Sequence, residues 1–395
     1  MNSLKSVSSK INLTKEDYES TPFIHVERMI WLLRLDFINS KGWARRINNM
    51  VTGIFLISSI YYLGFMAKTM FYKSSFYVLD MSLQLLNLSG LLAIEWTTGG
   101  TEDKEPEVKR NNFMVLNTIH SKLQCNFKTF SDGARWFLIL YVITTVFNIC
   151  YSAKFYFEKS HSVWAVLISE MFYYKQLRFI MSIISSYMYS VWLTTTYVFV
   201  TYANAAYFEV AYFNKEIRNL SGSRAEIKRK LLENIETFRL ISEAISELDM
   251  VFRLYTFAML ATVIPILIFT LMMLNQHLSS VTDFLICAPF ILFCICAFCS
   301  VTIAPARVHE KCQNLKHSLC RNKDIWQPHD PEIYQLASAL SSHCEQNGLG
   351  ISIWGFATLS RPLILGTLSA TAMMMSLLTD LKPERIIEVE VEEGN

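Results

Sequence analysis

Residues 254–274, LYTFAMLATVIPILIFTLMML, contain no charged side chain. A helix of about 20 such residues is long enough to cross the roughly 30 Å hydrocarbon core of a membrane. The preceding segment, 215–253, is densely charged but carries apolar side chains at helical spacing, at Ile235, Phe238, Ile241, Ile245 and Leu248. The two segments together predict a helix that enters a membrane from a long extension in water.

Further windows of similar length and apolarity occur along the chain. They cover residues 50–70, 76–96, 136–157, 179–203, 284–303 and 360–379. With 52% hydrophobic residues in 395 and a mean hydropathy of +0.27, the chain is predicted to be an all-α membrane protein with seven transmembrane helices. This composition excludes a disordered chain, a collagen-like repeat and a small disulfide scaffold.

The distribution of Lys and Arg predicts the orientation in the membrane. With a cytoplasmic N-terminus, the segments on the inner side carry 26 of these residues and those on the outer side carry five. Positive charge concentrates on the cytoplasmic side of membrane proteins. We therefore expect a multi-pass protein with a cytoplasmic N-terminus and an extracellular C-terminus. The long inner segments are predicted to form helical extensions that pack together, including 331–356 as a second projecting helix.

Polar and aromatic side chains within the spans are candidates for a ligand cavity. Asp80 and Gln84 lie near the outer end of the second span, and the fourth span contains Tyr187 and Trp192. With Tyr151, these residues would suit a small, partly polar compound that is aromatic or cationic. Interfacial solvation and helix packing also account for the same residue types, so these alternatives stay open.

Several other classes of protein lack support in the sequence. The common enzyme motifs GxGxxG, GxxxxGK[ST], HExxH and GxSxG are absent, and no spacing of Cys and His indicates a metal site. We expect no enzymatic activity, no cofactor and no nucleic-acid partner. A G-protein-coupled receptor would need the opposite orientation, and a secondary transporter would be expected to show internal repeats.

The run GLGISIWGFATLSRPLILGTLSATAMMMSLL, residues 348–378, resembles the last region of insect gustatory receptors, a family related to insect odorant receptors. The matching positions are Gly355, Phe356, Leu359, Arg361, Leu363 and Gly366. Upstream, 232–260 resembles the long helix by which that family enters the fifth span. The family motif T-Y, five apolar residues and Q-F is only partly present, since Thr371 and the apolar run remain.

This resemblance implies a ligand-gated, non-selective cation channel of the plasma membrane, built as a homotetramer and used in sensory transduction. Its partners would be a small-molecule tastant, permeating cations and membrane lipid. The last helix would line the pore, with gate positions at Thr371, Met375, Leu378 and Thr379 and a carboxylate ring at Asp380. A secondary transporter and a G-protein-coupled receptor are the alternative functions.

The resemblance also divides the chain into five parts. They are a cytoplasmic N-terminal segment (1–46), helices one to six with the ligand cavity and their extensions (47–303), cytoplasmic anchor helices (304–358), the pore-lining helix (359–379) and an extracellular acidic tail (380–395).

Overall fold

The computed structural model describes residues 178–277, 281–346 and 348–380, together with isolated positions between residues 43 and 150. The helices are α1 (Arg178–Arg218), α2 (Arg224–His277), α3 (Val281–Arg321), α4 (Lys323–Trp326), α5 (Pro331–Gln346) and α6 (Arg361–Asp380). Two short antiparallel pairs join β1 (Gly100–Thr101) to β2 (Arg110–Asn111) and β3 (Ser352–Ile353) to β4 (Ala357–Thr358). The described part is mostly helical, which confirms the all-α prediction.

The predicted spans 179–203, 254–274, 284–303 and 360–379 coincide with parts of α1, α2, α3 and α6. The windows 50–70, 76–96 and 136–157 lie outside the described residues except at isolated positions. The number of spans and their orientation stay predictions.

The three long helices extend well beyond the length that a membrane requires. Helix α2 has 54 residues and α1 and α3 have 41 each, which correspond to about 80 Å and about 60 Å. In the part of the chain that the structure describes, one segment, Arg224–Ile268, satisfies the length and hydropathy of a membrane span. The mostly buried core helix of a soluble protein would also satisfy this length and hydropathy, and 61% of the apolar window of this segment is buried inside the chain.

The predicted helix over 215–253 is interrupted at its start. Helix α1 continues to Arg218, and α2 begins only at Arg224. Gly222 lies between them with a φ of +138°, a backbone conformation that L side chains rarely adopt. A turn at this glycine therefore separates two helices where the sequence analysis predicted one continuous helix over 215–253.

Residues 204–253 and 304–346, here called the extension bundle, form a packed unit. Its fully buried side chains include Ile217, Leu231, Leu315, Ile333 and Leu340. Asn322 closes the end of α1, since its Nδ2 donates to the carbonyls of Ile217 at 2.9 Å and Leu220 at 2.7 Å. An ion pair between Lys228 and Glu332 joins α2 to α5 at the surface. The sequence predicted that the extensions pack together, and the structure shows this packing.

The prediction of a helix over 331–356 was wrong beyond Gln346, where α5 ends. A connector, residues 348–360, follows and contains the β3–β4 hairpin. Gly348 and Gly355 have positive φ values of 33° and 78°, which a helix cannot accommodate. The connector leads directly into α6.

Candidate functional site: the last helix and its connector

The predicted ligand-cavity residues are only partly described. Asp80, Gln84 and Tyr151 lie outside the described residues, and Tyr187 is placed in α1 by its backbone alone. Trp192 is fully described and is 2% exposed. The structure therefore gives the surroundings of one of the five side chains.

Trp192 lies in the contact between α1 and α2. Its indole Nε1–H donates to Sδ of Met259 at 2.7 Å. One turn further along α1, the hydroxyls of Thr196 and Tyr255 are 2.7 Å apart, and both side chains are buried. Aromatic and hydroxyl groups of the predicted fourth span thus pair across to α2. A role for Trp192 in ligand binding stays a prediction.

Helix α6 has two unlike faces. Its half-buried side contains Leu363, Ile364, Thr367, Thr371 and Met375, and the spacing of four residues keeps most of them on one stripe. The other side is exposed and contains Leu365, Ser369, Met373 and Ser376. Helix α6 packs against α2, and two of the predicted gate residues, Thr371 and Met375, are half-buried on the single chain.

The remaining gate residues are placed by backbone only. Leu378, Thr379 and Asp380 form the last turn of α6, and their side chains lie outside the described residues. The hydroxyl of Thr371 donates to the carbonyl of Thr367 at 2.8 Å, so it is satisfied within the helix. The role of all five residues in a gate stays a prediction.

The connector contains a tight turn with an unusual backbone. Trp354 and Gly355 have φ values of 49° and 78°, and the N–H of Phe356 donates to the carbonyl of Ile353 at 2.9 Å. Two successive positive φ angles are typical of a type I′ hairpin turn, which favours Asn or Gly. A bulky residue such as Trp is strained there, by about 1–2 kcal/mol.

The connector is fastened to α2 by polar and aromatic contacts. Oδ1 of Asp249 accepts from the Ser352 backbone N–H at 2.5 Å and from its hydroxyl at 2.7 Å. The N–H of Trp354 donates to the carbonyl of Arg253 at 3.1 Å. The Trp354 ring lies 4.7 Å from that of Phe257, measured between centroids. The strained turn is therefore held on one side of α2.

A second set of contacts fastens the connector to α3. His309 Nδ1 is 2.9 Å from the carbonyl oxygen of Leu349, so this nitrogen carries the hydrogen. Its Nε2 then accepts from the Gln313 side-chain amide at 2.9 Å. At the start of α6, Arg361 forms an ion pair of 2.5 Å with Glu310. Gly350 fits closely here, because a Cβ would lie 2.5 Å from the Thr358 methyl.

The sequence motif located the connector but not its partners. Gly355 and Arg361 belong to the run that carries the family resemblance, whereas Asp249 and His309 were not singled out. Asp249 is the last acidic side chain of α2 before the apolar run that begins at residue 254, and this position is the signal that could have found it. Among the described residues, no group of three His, Cys, Asp or Glu side chains could hold a metal ion.

No model of a known protein family matches this chain, and no curated protein matches it in sequence. Among solved structures, the insect olfactory receptor OR5 from Machilis hrabei matches with a TM-score of 0.64 at 10% identity, over 89% of this chain and 97% of that one. The structure of the same receptor in complex with eugenol matches with a TM-score of 0.63 at 10% identity, over 90% and 97%. The chain therefore has the all-helical fold of this olfactory receptor.

Proposed function

We propose that this chain is a chemosensory receptor of the plasma membrane that works as a ligand-gated, non-selective cation channel. The observation that carries the proposal is the fold match, which covers 89% of this chain and 97% of an insect olfactory receptor. The run 348–378 resembles gustatory receptors, which favours a tastant as ligand. Since the related structure was solved with eugenol, a small compound with an aromatic ring is the first ligand class to test.

The exposed side of α6 supports an assembly of several subunits. Leu365 and Met373 are each 65% exposed, and Phe356 at the connector is 82% exposed. Apolar side chains in such a row need lipid or another protein surface to cover them. We propose a homotetramer in which four copies of α6 surround the pore and membrane lipid covers the outer surface.

The proposed pore uses the last turns of α6. Met375 and Leu378 would form an apolar constriction that excludes water when closed, with Thr371 and Thr379 as neighbouring hydroxyls. Four copies of Asp380 at the outer end would concentrate cations. The proposed ligand cavity keeps Asp80, Gln84, Tyr151, Tyr187 and Trp192 as its lining.

Whole-cell recording from cells that express the full chain tests this function. The compounds are a panel of phenols including eugenol, alkaloids and sugars, and untransfected cells are the control. We expect a compound-evoked cation current without added G protein. Solute uptake without current would favour a transporter, and a response that requires G protein would favour a G-protein-coupled receptor; either result would overturn the channel.

Two variants test the pore itself. Leu378→Ser should raise the resting current, because a hydroxyl hydrates the closed constriction. Asp380→Lys should reduce cation conductance, because it replaces four negative charges at the mouth by four positive ones. Surface protein is measured for each variant by labelling with a membrane-impermeant reagent. Wild-type leak and conductance in both variants would place the pore outside α6.

A further inference from the structure

We infer that Asp249 is a positioning residue that holds the connector on α2 and so couples movement of α2 to α6. Its consequence for gating rests on the proposed function. The carboxylate bonds both polar groups of Ser352 that face it, the backbone N–H and the hydroxyl. Ser352 is only 8% exposed. The Ser352 hydroxyl oxygen in turn accepts from the N–H of Gly355 at 3.1 Å. A continuous chain of hydrogen bonds therefore runs from α2 into the strained turn.

The connector follows one stripe of α2. Asp249, Arg253 and Phe257 are spaced four residues apart, so they lie on the same side of the helix. Each of them contacts the hairpin: Asp249 at Ser352, Arg253 through its carbonyl at Trp354, and Phe257 through its ring at Trp354. Trp354 therefore has two independent restraints from α2. Asp249 adds a third restraint on the hairpin, at Ser352.

The strain at Trp354 indicates that this arrangement is imposed. A non-glycine residue keeps a positive φ only where its surroundings over-determine the conformation, and such residues cluster at switches and binding sites. Here the surroundings are the contacts to α2 and the neighbouring Phe356 ring, 5.9 Å away. Without the bonds from Asp249, the turn has a route to relax toward negative φ, and the start of α6 would lose its fixed distance from α2.

Helix α2 is also the helix that receives the contacts of the predicted ligand-cavity region. Tyr255 and Met259, on the turns that follow Asp249, pair with Thr196 and Trp192 of α1. A shift of α2 against α1 therefore moves the stripe that holds the connector. Because α6 begins at Arg361, directly after the connector, the same shift is passed to the proposed pore helix.

The matched variants are Asp249→Ala, Asp249→Asn and Glu233→Ala. Asp249→Ala removes the acceptor, whereas Asp249→Asn keeps an oxygen at the same place without the charge. Glu233 is an exposed residue of the same helix whose partner is Arg229, so Glu233→Ala makes the same change of charge away from the connector. Surface amount and unfolding temperature are measured for all three.

Hydrogen exchange on the purified full chain tests the positioning. The amides of Ser352, of Gly355 and of Leu359, whose N–H donates to the carbonyl of Ile351 at 2.9 Å, should exchange about tenfold faster in Asp249→Ala than in wild type. This is the scale for losing a hydrogen bond to a charged group. Asp249→Asn should be intermediate and Glu233→Ala unchanged. Equal exchange in all variants would overturn the inference, whether or not the chain conducts ions.

Current recording tests the coupling. With eugenol, or the strongest activator from the panel, the maximal current per surface subunit should fall about tenfold in Asp249→Ala, with partial recovery in Asp249→Asn. A merely structural defect would lower the amount of protein at the cell surface, or the unfolding temperature, in proportion to the loss of current. If Asp249→Ala shows such a defect, Asp249→Asn still decides the test, because it is expected to keep normal values for both quantities. A wild-type maximal current in Asp249→Ala would overturn the coupling. No current in wild type, together with faster connector exchange, would instead overturn the channel and leave the positioning in place.

Discussion

The extension bundle and α6 are both helical and both rich in apolar residues, but they differ in the solvent exposure of those residues. In the bundle, Leu231, Leu315 and Leu340 are fully buried within the chain. In α6, Leu365 is 65% exposed and Leu377 is 51% exposed. The bundle buries its hydrophobic surface inside one chain, whereas much of the apolar surface of α6 stays exposed on that chain. In the proposed assembly, lipid or another subunit would cover it. Apolar content alone does not distinguish these two environments.

The extension bundle and α6 also differ in their charged side chains. The bundle carries exposed ion pairs on α2, such as Arg229 with Glu233 and Lys230 with Glu226, which suit a surface in water. After Arg361, α6 has no charged side chain until Asp380. The connector joins the two regions, and in the proposed coupling its contacts to α2 pass movement from the extension bundle to α6.

The largest expected effect is the difference in stability between replacing a buried leucine of the extension bundle and replacing an exposed leucine of α6. Leu315→Ala should lower the free energy of unfolding by about 2–5 kcal/mol, because it leaves a cavity in a fully packed site. Leu365→Ala should cost under about 1 kcal/mol, since its side chain is already exposed within the subunit. Thermal unfolding of both variants in the same detergent measures the difference. Equal losses would show that α6 is packed as tightly as the bundle.

A smaller effect concerns the amide that closes α1. Asn322→Ala should destabilise the bundle by about 1–3 kcal/mol, because two buried carbonyls, of Ile217 and Leu220, lose their donor. Asn219→Ala is the matched control, since Asn219 is exposed in the same turn and should change stability little. Denaturant or thermal unfolding gives both values. A control that costs as much as Asn322→Ala would contradict this assignment.

The two faces of α6 can be compared by the reactivity of introduced cysteines. In the proposed pore Thr371 meets water, so Thr371→Cys should react with a cationic methanethiosulfonate about tenfold faster than Ser376→Cys, although Ser376 is the more exposed of the two on the single chain. The exposed Cys150, Cys296 and Cys320 are first replaced by Ser, and that background is the blank. Faster reaction at Ser376→Cys would mean that the exposed face of α6 meets water in the assembled protein, and it would exclude Thr371 from the lining of the pore.

Part of this comparison could be predicted from sequence. The apolar windows, and the apolar stripe that includes Phe238 in a charged segment, predicted long helices with extensions, and the motif around Gly355 marked the connector. These features depend on residues that are close in sequence. The break at 219–223 does carry a local signal, since the uncharged run Asn-Leu-Ser-Gly-Ser is typical of a loop, and the predicted helix over 215–253 was wrong to continue through it.

Contacts between distant residues explain the rest. Asp249 and Ser352 are 103 positions apart, and Trp192 and Met259 are 67 apart, so neither pair is visible in the local pattern. The positive φ of Trp354 opposes the preference of its own side chain and is imposed by tertiary contacts. The exposed face of α6 also has no signature of its own, because hydroxyl and apolar residues alternate around the whole helix.

The smallest expected effect is the pH dependence of the exposed pairs on α2. The guanidinium of Arg239 lowers the pKa of Glu236, and the ammonium of Lys230 lowers the pKa of Glu226, each mainly through a side-chain hydrogen bond. A carboxyl whose pKa is lower in the folded state stabilises that state above its unfolded pKa, here 4.5, and loses this contribution as the pH falls through the folded value. Because both pairs are exposed to solvent, the contribution is slight.

The variant Glu236→Gln should therefore unfold at a slightly lower temperature than wild type from pH 5 to 8, and the difference should disappear as the pH falls well below 4.5. Thermal unfolding in one detergent from pH 8 to pH 3 measures both chains, and Glu216→Gln, at an exposed position of α1, controls for the loss of one carboxylate. A difference that grows on acidification has the wrong sign for an ion pair. It would indicate that the charged Glu236 is unfavourable in the folded state, and the surface of α2 around it would then not behave as the surface of a helix in water.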